Sequence, residues 1–237
     1  MFVHGFTQTS NSWKPIAAQF ADDGYESVVV DAPGHGDSSH VRVDLRHGAD
    51  ALTALCGFGV YIGYSLGGRL SMHAALMYPD LVRGLALVGA SPGIADEAAR
   101  ADRRAADDRL ADHVIGVGVD AFLDEWLSQP LFAQLNVDDE QRSDRLRNTA
   151  EGLAGSLRLA GTGAQASLWS RLRELNMPVL TMAGEFDLKF AAIGRQVSAS
   201  VSEGNSVEIA DAGHAAHLQQ PAQVITELSA WLSAIKY

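Results

Sequence analysis

Three polar residues in this 237-residue chain have the types and the order needed to activate a serine hydroxyl. Ser65 lies in the pentapeptide Gly-Tyr-Ser-Leu-Gly at residues 63–67, between a short apolar run and a segment compatible with a helix. Asp187 and His214 follow in that order, each directly after a predicted strand. A serine becomes reactive at neutral pH when a histidine takes its proton and a carboxylate orients that histidine. The three residues therefore predict a catalytic triad.

The glycines around Ser65 predict a sharp turn between a strand and a helix. Gly63 and Gly67 carry no side chains, so the strand and the helix can approach each other closely. The first backbone N–H groups of such a helix face any negative charge that develops beside the serine. The expected oxyanion-hole donors are the backbone N–H groups of Leu66, directly after the serine, and Phe6, in the loop after the first predicted strand.

Other residues compete for two of these roles. His217 lies one helical turn beyond His214, but the position directly after the last strand favours His214 as the base. Asp211 is only three residues from His214 and would have to fold back on it. We therefore expect Asp187 to be the orienting acid.

The order of strands and helices predicts an α/β fold with a mostly parallel, doubly wound sheet. A β-branched run at 26–31 and an apolar run at 85–88, typical of strands buried on both sides of a parallel sheet, alternate with amphipathic helical segments. Between residues 93 and 169 these runs disappear, and the segment is helical and rich in Ala, Arg and Asp. We expect 93–169 to form an inserted helical cap, and 1–92 and 170–237 to form the core.

Charge and composition limit the classes of function. The formal net charge is −11 and no basic stripe is present to neutralise phosphates, so nucleic acid is not an expected partner. The single cysteine, Cys56, excludes an internal disulfide. No apolar run reaches the length of a membrane span and no signal-peptide pattern is present, so we expect a cytoplasmic protein. Neither a cofactor nor a metal site is predicted, and the sequence does not specify an oligomeric state.

Five motifs together resemble the α/β-hydrolase superfamily. They lie at residues 2–6, 31–36, 63–69, 184–190 and 213–214. More narrowly, nearly the whole chain resembles the 2-succinyl-6-hydroxy-2,4-cyclohexadiene-1-carboxylate (SHCHC) synthases of menaquinone biosynthesis. The narrower resemblance rests on Gly-Tyr-Ser-Leu-Gly-Gly-Arg at 63–69, on residues 100–107, and on residues 126–132 followed by Arg147.

The resemblance implies an α/β-hydrolase fold with a helical cap, and a lyase that eliminates pyruvate from a cyclohexene precursor bearing several carboxylates. In that family, residues at matching positions form the substrate pocket: here Tyr64, Arg69, Arg103, Trp126, Phe132 and Arg147. Arginines bind carboxylates bidentately, and converging ones would offset the unfavourable net charge for a small anionic substrate. Ser65, deprotonated by His214, would then act as a base on a carbon α to a carbonyl.

Two other functions remain compatible with the sequence. A hydrolase, either a carboxylesterase or a carbon–carbon bond hydrolase, would use Ser65 as its nucleophile. A ligand-binding member of the fold would not need the triad at all. The arginines favour the lyase over the hydrolase, and the triad argues against a non-catalytic protein. An alternative interpretation of Arg100, Arg103 and Arg104 is the solvated face of a cap helix.

Overall fold

The computed structural model describes residues 1–235, which form a six-stranded sheet with helices on both faces. The strands are β1 (Phe2–Val3), β2 (Val29–Val30), β3 (Gly59–Tyr64), β4 (Val82–Val88), β5 (Val179–Gly184) and β6 (Gly204–Ile209). Their order across the sheet is β2-β1-β3-β4-β5-β6, and every neighbouring pair is parallel. The predicted α/β fold with a parallel sheet is confirmed.

Helices connect the strands of the described chain. The α-helices are α1 (Lys14–Asp22), α2 (Leu45–Cys56), α3 (Leu66–Met77), α4 (Glu97–Leu127), α5 (Asp139–Arg145), α6 (Ala150–Ala160), α7 (Leu188–Ser200), α8 (Ala216–Gln219) and α9 (Pro221–Ala234). Short 3₁₀ helices lie at Ser10–Trp13, Gly36–Ser38, Pro130–Phe132 and Trp169–Glu174.

Successive side chains of the central strands enter two separate cores. In β3, Ile62 and Tyr64 pack on the side of α1 and α9, whereas Tyr61 packs on the side of α2, α3 and α7. This alternation follows from the two-residue repeat of a strand. Because helices cover both faces, β4 and β5 are apolar along most of their length, which explains why the sequence shows them as continuous runs.

Strand β2 differs from its prediction. The β-branched run at 26–31 predicts a strand buried on both sides, but within residues 1–235 only Val29 and Val30 of this run pair, and their partner strand is β1. That prediction is wrong: β2 is an edge strand of the sheet, Glu26 is exposed, residues 27–29 are half-buried and only Val30 of the strand is buried. The carboxylate that follows it, Asp31, accepts the backbone N–H groups of Ser10 at 2.6 Å and Asp37 at 2.8 Å.

The segment between β4 and β5 carries the helices α4, α5 and α6. Helix α4 packs on α6 and bends at Gly118, whose φ of 80° and ψ of 168° are not helical. An apolar cluster joins Phe122 of α4 to Leu153 and Leu157 of α6, and Phe6 from the loop after β1 packs against it. The helical segment thus contacts the loop that follows β1. The division into a core (1–92 and 170–237) and a cap (93–169) stays a prediction.

No helix within residues 1–235 is both long enough and apolar enough to cross a membrane. Over the same residues, no group of three or more His, Cys, Asp or Glu side chains is placed to hold a metal ion. Cys56 is a free thiol at the end of α2, where burial raises its pKa and disfavours the reactive thiolate.

Buried neutral histidines predict that acid destabilises the fold. His35 is fully buried, and burial together with the neighbouring His4 lowers its pKa from 6.5 to about 3. Above pH 6.5 the ring is neutral in the folded and the unfolded chain alike. As the pH falls from 6.5 towards 3, only the unfolded chain takes up the proton, so stability is lost in this window. At pH 5 the loss from His35 alone is about 2 kcal/mol.

Urea unfolding at pH 7.5 and at pH 5 measures this effect. We expect a lower midpoint at pH 5, and a smaller difference between the two pH values in His35→Gln. The exposed His40 provides the control, because His40→Gln should leave the difference unchanged. A pH difference that is identical in wild type and His35→Gln would contradict the assignment.

Candidate active site

The end of β3 places Ser65 in a strained turn at the beginning of α3. Its φ of 48° and ψ of −104° are unusual for a residue other than glycine, and such strain is characteristic of functional positions. The Ser65 N–H donates to the carbonyl of Val88 at 2.9 Å, so the serine remains attached to the sheet while its side chain leaves it. The local geometry is the strand–turn–helix context predicted for the pentapeptide.

Two glycines make this turn sterically possible. A Cβ on Gly63 would lie 2.4 Å from the backbone carbonyl carbon of Gly67, and a Cβ on Gly67 would lie 2.1 Å from the carbonyl oxygen of Val3. Both distances are far below van der Waals contact, and both neighbours are backbone atoms with little freedom to move. The glycines therefore permit β1, β3 and α3 to meet at Ser65.

Gly63→Ala is expected to destabilise the protein by about 1–3 kcal/mol and to abolish activity, because the added methyl group overpacks the turn that holds Ser65. Urea unfolding and the activity assay described below measure the two effects. Gly59→Ala is a matched control in the same strand, since a Cβ there meets no atom within 4 Å. Equal stability of the two variants would show that the turn tolerates a side chain.

Asp187 and His214 are brought together at the same edge of the sheet. Asp187 precedes α7 and follows β5, whereas His214 follows β6. Oδ2 of Asp187 lies 2.6 Å from Nδ1 of His214, and Oδ1 accepts the backbone N–H of Phe190 at 3.3 Å. Both side chains are buried. With Nδ1 held by the carboxylate, Nε2 is the ring nitrogen left for Ser65, which lines the same cavity as His214.

The rival residues occupy different environments. The His217 ring lies between Trp13 and Tyr64, with centroid distances of 4.4 and 4.3 Å. Neither ring nitrogen of His217 has a hydrogen-bond partner among residues 1–235. Burial, and then the charge of Arg145, hold the pKa of His217 well below its usual value. Because Asp187 binds His214, the geometry favours His214 as the base.

The two expected oxyanion donors lie at this cavity. Leu66 is the first residue of α3, so its N–H has no carbonyl partner within the helix. Phe6 follows β1, and both residues line the cavity together with Ser65. The arrangement is compatible with two N–H groups facing one developing negative charge.

The cavity above Ser65 has a volume of about 160 Å³ and an aromatic wall. The aromatic residues that line it are Phe6, Tyr64, Trp126, Phe132 and Phe190. Burial raises the pKa of Tyr64, which keeps its hydroxyl protonated. The Nε1–H of Trp126 is buried without a hydrogen-bond partner among the described residues.

Three cationic side chains line this cavity and an adjoining one of about 190 Å³ that also contains Ser65: Arg69, Arg103 and Lys189. Arg69 is buried, and its Nη1 donates to the uncharged carbonyl of Ala160 at 2.6 Å. Burial, and then the charge of Arg103, lower its pKa to about 10. Nε of Arg103 binds Asp107 at 2.7 Å. The site therefore concentrates positive charge beside the serine.

Five of the six predicted pocket residues line the cavity, and Arg147 does not. Arg147 lies after α5, where its guanidinium binds Asp37 at 2.9 Å and Asp144 at 3.3 Å. The prediction that Arg147 lines the pocket is corrected by this geometry, because the two carboxylates hold its side chain at the surface. Arg145, two residues earlier, is the buried arginine of this segment.

Among the cavity-wall residues that the sequence analysis did not predict are two beside the catalytic acid. Lys189 and Phe190 follow Asp187 by two and three residues, in the first turn of α7. Both belong to the 184–190 motif. Their position beside Asp187, at the carboxyl end of β5, could have predicted that they line the cavity, since side chains at this edge of the sheet face the site.

A parallel sheet with a serine at its elbow and an Asp–His pair after two later strands is the architecture of the α/β-hydrolase class. The chain belongs to the Alpha/beta hydrolase family, whose sequence profile it matches over residues 1–227.

Relatives within this family are similar over nearly their whole length. The 2-succinyl-6-hydroxy-2,4-cyclohexadiene-1-carboxylate synthase of Salmonella typhimurium is 34% identical, over 97% of this chain and 91% of the relative. The structure of MenH from S. aureus superimposes with a TM-score of 0.91 at 30% identity, covering 98% of this chain and 92% of that one. A thermophilic esterase from Thermogutta terrifontis superimposes with a TM-score of 0.83 at 25% identity, covering 100% of this chain and 89% of that one.

Proposed function

We propose that this protein is a lyase that eliminates pyruvate from a multi-carboxylate cyclohexene precursor to give SHCHC in menaquinone biosynthesis. The observation that carries the proposal is the cluster of Arg69, Arg103 and Lys189 around Ser65. In a chain of net charge −11, an anionic substrate is repelled at long range, so only a local group of cations can bind it. The similarity to a named SHCHC synthase supports the same conclusion.

Arg69 is the residue best suited to a substrate carboxylate. It is buried, and its hydrogen bonds go to the uncharged oxygens of Ala160 and Gln165. A buried cation is costly unless an anion compensates it, and the planar guanidinium matches a carboxylate in two parallel bonds. Arg103 and Lys189 lie at the same cavities and can bind further carboxylates. The aromatic wall provides apolar contact for a six-membered ring.

The triad would act here as a base. His214 takes the proton of Ser65, with Asp187 stabilising the imidazolium that forms. The Ser65 oxygen then takes a proton from the carbon α to a substrate carbonyl. The electron pair of that C–H bond forms a new C=C bond, and the C–O bond to the leaving group breaks, with its pair remaining on oxygen. The leaving group departs as the enolate of pyruvate. The imidazolium of His214 gives up its proton, the enolate takes a proton at carbon to become pyruvate, and the triad returns to its starting state.

The oxyanion donors would stabilise the charge that appears on the carbonyl oxygen during proton removal. The N–H groups of Phe6 and Leu66 donate more strongly to an enolate-like oxygen than to the neutral carbonyl. The same donors serve tetrahedral oxyanions in hydrolases, so the oxyanion hole by itself does not distinguish elimination from hydrolysis.

A hydrolase is the second candidate, and one observation favours it: the likeness to a thermophilic esterase at 25% identity. In that case Ser65 attacks a carbonyl carbon and forms an acyl-enzyme. The buried Arg69 argues against a neutral ester as the substrate, since such a substrate would offer no carboxylate to a guanidinium whose hydrogen bonds go only to uncharged oxygens among the described residues. The absence of nucleic-acid partners and a cytoplasmic location stay predictions from the sequence.

Supplying the menaquinone-pathway precursor and following pyruvate by a coupled enzyme assay tests the proposal. We expect pyruvate and SHCHC to be formed in equal amounts, with negligible hydrolysis of a p-nitrophenyl ester. Ester hydrolysis at rates typical of esterases, without pyruvate release from the precursor, would establish the hydrolase instead. If neither reaction occurs, the non-catalytic alternative becomes the leading one.

A further inference from the structure

The loop that carries the oxyanion donor Phe6 contains a strained residue. Thr7 has a φ of 68°, which is unfavourable for a residue branched at Cβ. It lies within a turn in which the N–H of Gln8 donates to the carbonyl of Gly5 at 3.1 Å. Thr7 is fully buried. Such a conformation persists only where surrounding contacts hold it.

Two side chains from the helical segment bind the hydroxyl and the backbone carbonyl of Thr7. Nη1 of Arg145, the last residue of α5, donates to Oγ1 of Thr7 at 2.8 Å. Nδ2 of Asn148 donates to the carbonyl of Thr7 at 2.9 Å, while its Oδ1 accepts the N–H of Gly36 at 3.0 Å. All three bonds are buried. The conformation next to Phe6 therefore depends on residues distant in sequence.

Asp144, the residue before Arg145, binds the same loop at two later positions. The carboxylate of Asp144 accepts the Oγ1 hydroxyl of Thr9 at 2.7 Å and the Nδ2 group of Asn11 at 2.6 Å. We call Asp144, Arg145 and Asn148 the loop clamp. Its three side chains contact the loop at positions 7, 9 and 11. They therefore restrain the backbone of the whole loop in addition to the strained residue Thr7.

Arg145 contacts Thr7 and is absent from the wall of the cavity that contains Ser65. It is 4% exposed, and burial lowers its pKa. A buried arginine costs stability unless its hydrogen bonds are well made. Its bond to Thr7 offers a reason for retaining it, and its place outside the cavity wall makes it a positioning residue.

We propose that Arg145 and Asn148 position the Phe6 N–H for the reaction by holding Thr7 in its left-handed conformation. This rests on the proposed function, in which that N–H stabilises the developing enolate oxygen. A misplaced donor loses transition-state stabilisation, while the carboxylates of the substrate still bind Arg69. Loosening the clamp therefore lowers kcat and leaves KM nearly unchanged.

Kinetics of four variants test the clamp. Arg145→Met and Thr7→Val each remove one partner of the buried bond, and we expect kcat to fall at least about tenfold with KM within about threefold of wild type. Thr7→Ser keeps the hydroxyl and should retain kcat. Arg142→Gln is the control on the same helix, because Arg142 binds Asp120 and Asp124 at the surface.

A substrate-free readout follows the Phe6 N–H directly. With ¹⁵N-labelled phenylalanine, the chain gives at most eight amide signals, and Phe6→Leu identifies that of Phe6. We expect this signal to shift in Arg145→Met and in Thr7→Val, and to keep its position in Thr7→Ser and Arg142→Gln. A role confined to global stability would lower the unfolding midpoint without moving this signal selectively.

An unmoved Phe6 signal in Arg145→Met, or a kcat within twofold of wild type, overturns the inference. If Arg145→Met does not fold, Thr7→Val replaces it and the same two outcomes decide. If wild type releases no pyruvate, the proposed function fails, and the Phe6 signal alone then decides whether the clamp holds the loop.

Discussion

Ser65→Ala is expected to lower kcat for pyruvate release by about 10³-fold, with little change in KM, because the variant lacks the oxygen that takes the substrate proton. The substrate carboxylates still meet Arg69, Arg103 and Lys189, so ground-state binding remains. Steady-state kinetics with the coupled pyruvate assay measure both parameters. Because a partly unfolded sample would also lower the apparent kcat at unchanged KM, urea unfolding of Ser65→Ala is measured alongside, and we expect it to match wild type.

Ser71→Ala is the matched control for this prediction. Ser71 lies in the same helix, α3, is fully buried, and its hydroxyl has no hydrogen-bond partner among residues 1–235. We therefore expect wild-type kinetics from Ser71→Ala. Pyruvate release that survives Ser65→Ala at more than about a tenth of the wild-type rate would show that another group removes the proton.

Arg69→Gln is expected to lower kcat/KM for the precursor by about 10²-fold, because a buried bidentate bond to a carboxylate is worth roughly 2–3 kcal/mol. The kcat/KM of Arg69→Lys should lie between those of Arg69→Gln and wild type, since an ammonium keeps the charge but cannot make the two parallel bonds. The exposed Arg46 on α2 provides a control, and Arg46→Gln should change kcat/KM by less than twofold.

Stability separates this binding role from a structural one. Arg69 is a buried cation whose hydrogen-bond partners are uncharged. Removing its charge relieves a desolvation cost. We therefore expect the free energy of unfolding of Arg69→Gln, measured in urea, to be no more than about 1 kcal/mol below that of wild type. A large loss of stability together with an unchanged kcat/KM would show that Arg69 supports the fold and does not bind substrate.

Part of this site could be predicted from sequence because the chemistry lies at strand ends. Ser65, Asp187 and His214 each follow a predicted strand, and the carboxyl ends of parallel strands meet at one edge of a sheet. Their order along the chain and the glycines around Ser65 then limit the alternatives. The hydrogen bond between Asp187 and His214 agrees with that reasoning.

Other features depend on tertiary contacts that have no local pattern. The β-branched run at 26–31 indicates a strand, but only the order of the sheet shows that β2 is an edge. Arg145 and Arg147 are two residues apart, and sequence alone cannot tell which one is buried. That distinction comes from Thr7, which binds Arg145, and from Asp37, which binds Arg147.

Substitution of deuterium for the hydrogen on the carbon α to the substrate carbonyl tests the central claim most directly. Under single-turnover conditions, where product release does not limit the rate, proton removal by Ser65 predicts that pyruvate forms more slowly from the deuterated precursor, with a primary isotope effect. If pyruvate forms at the same rate from both precursors, C–H cleavage does not limit pyruvate release, and the account in which proton removal by Ser65 is the slow chemical step is contradicted.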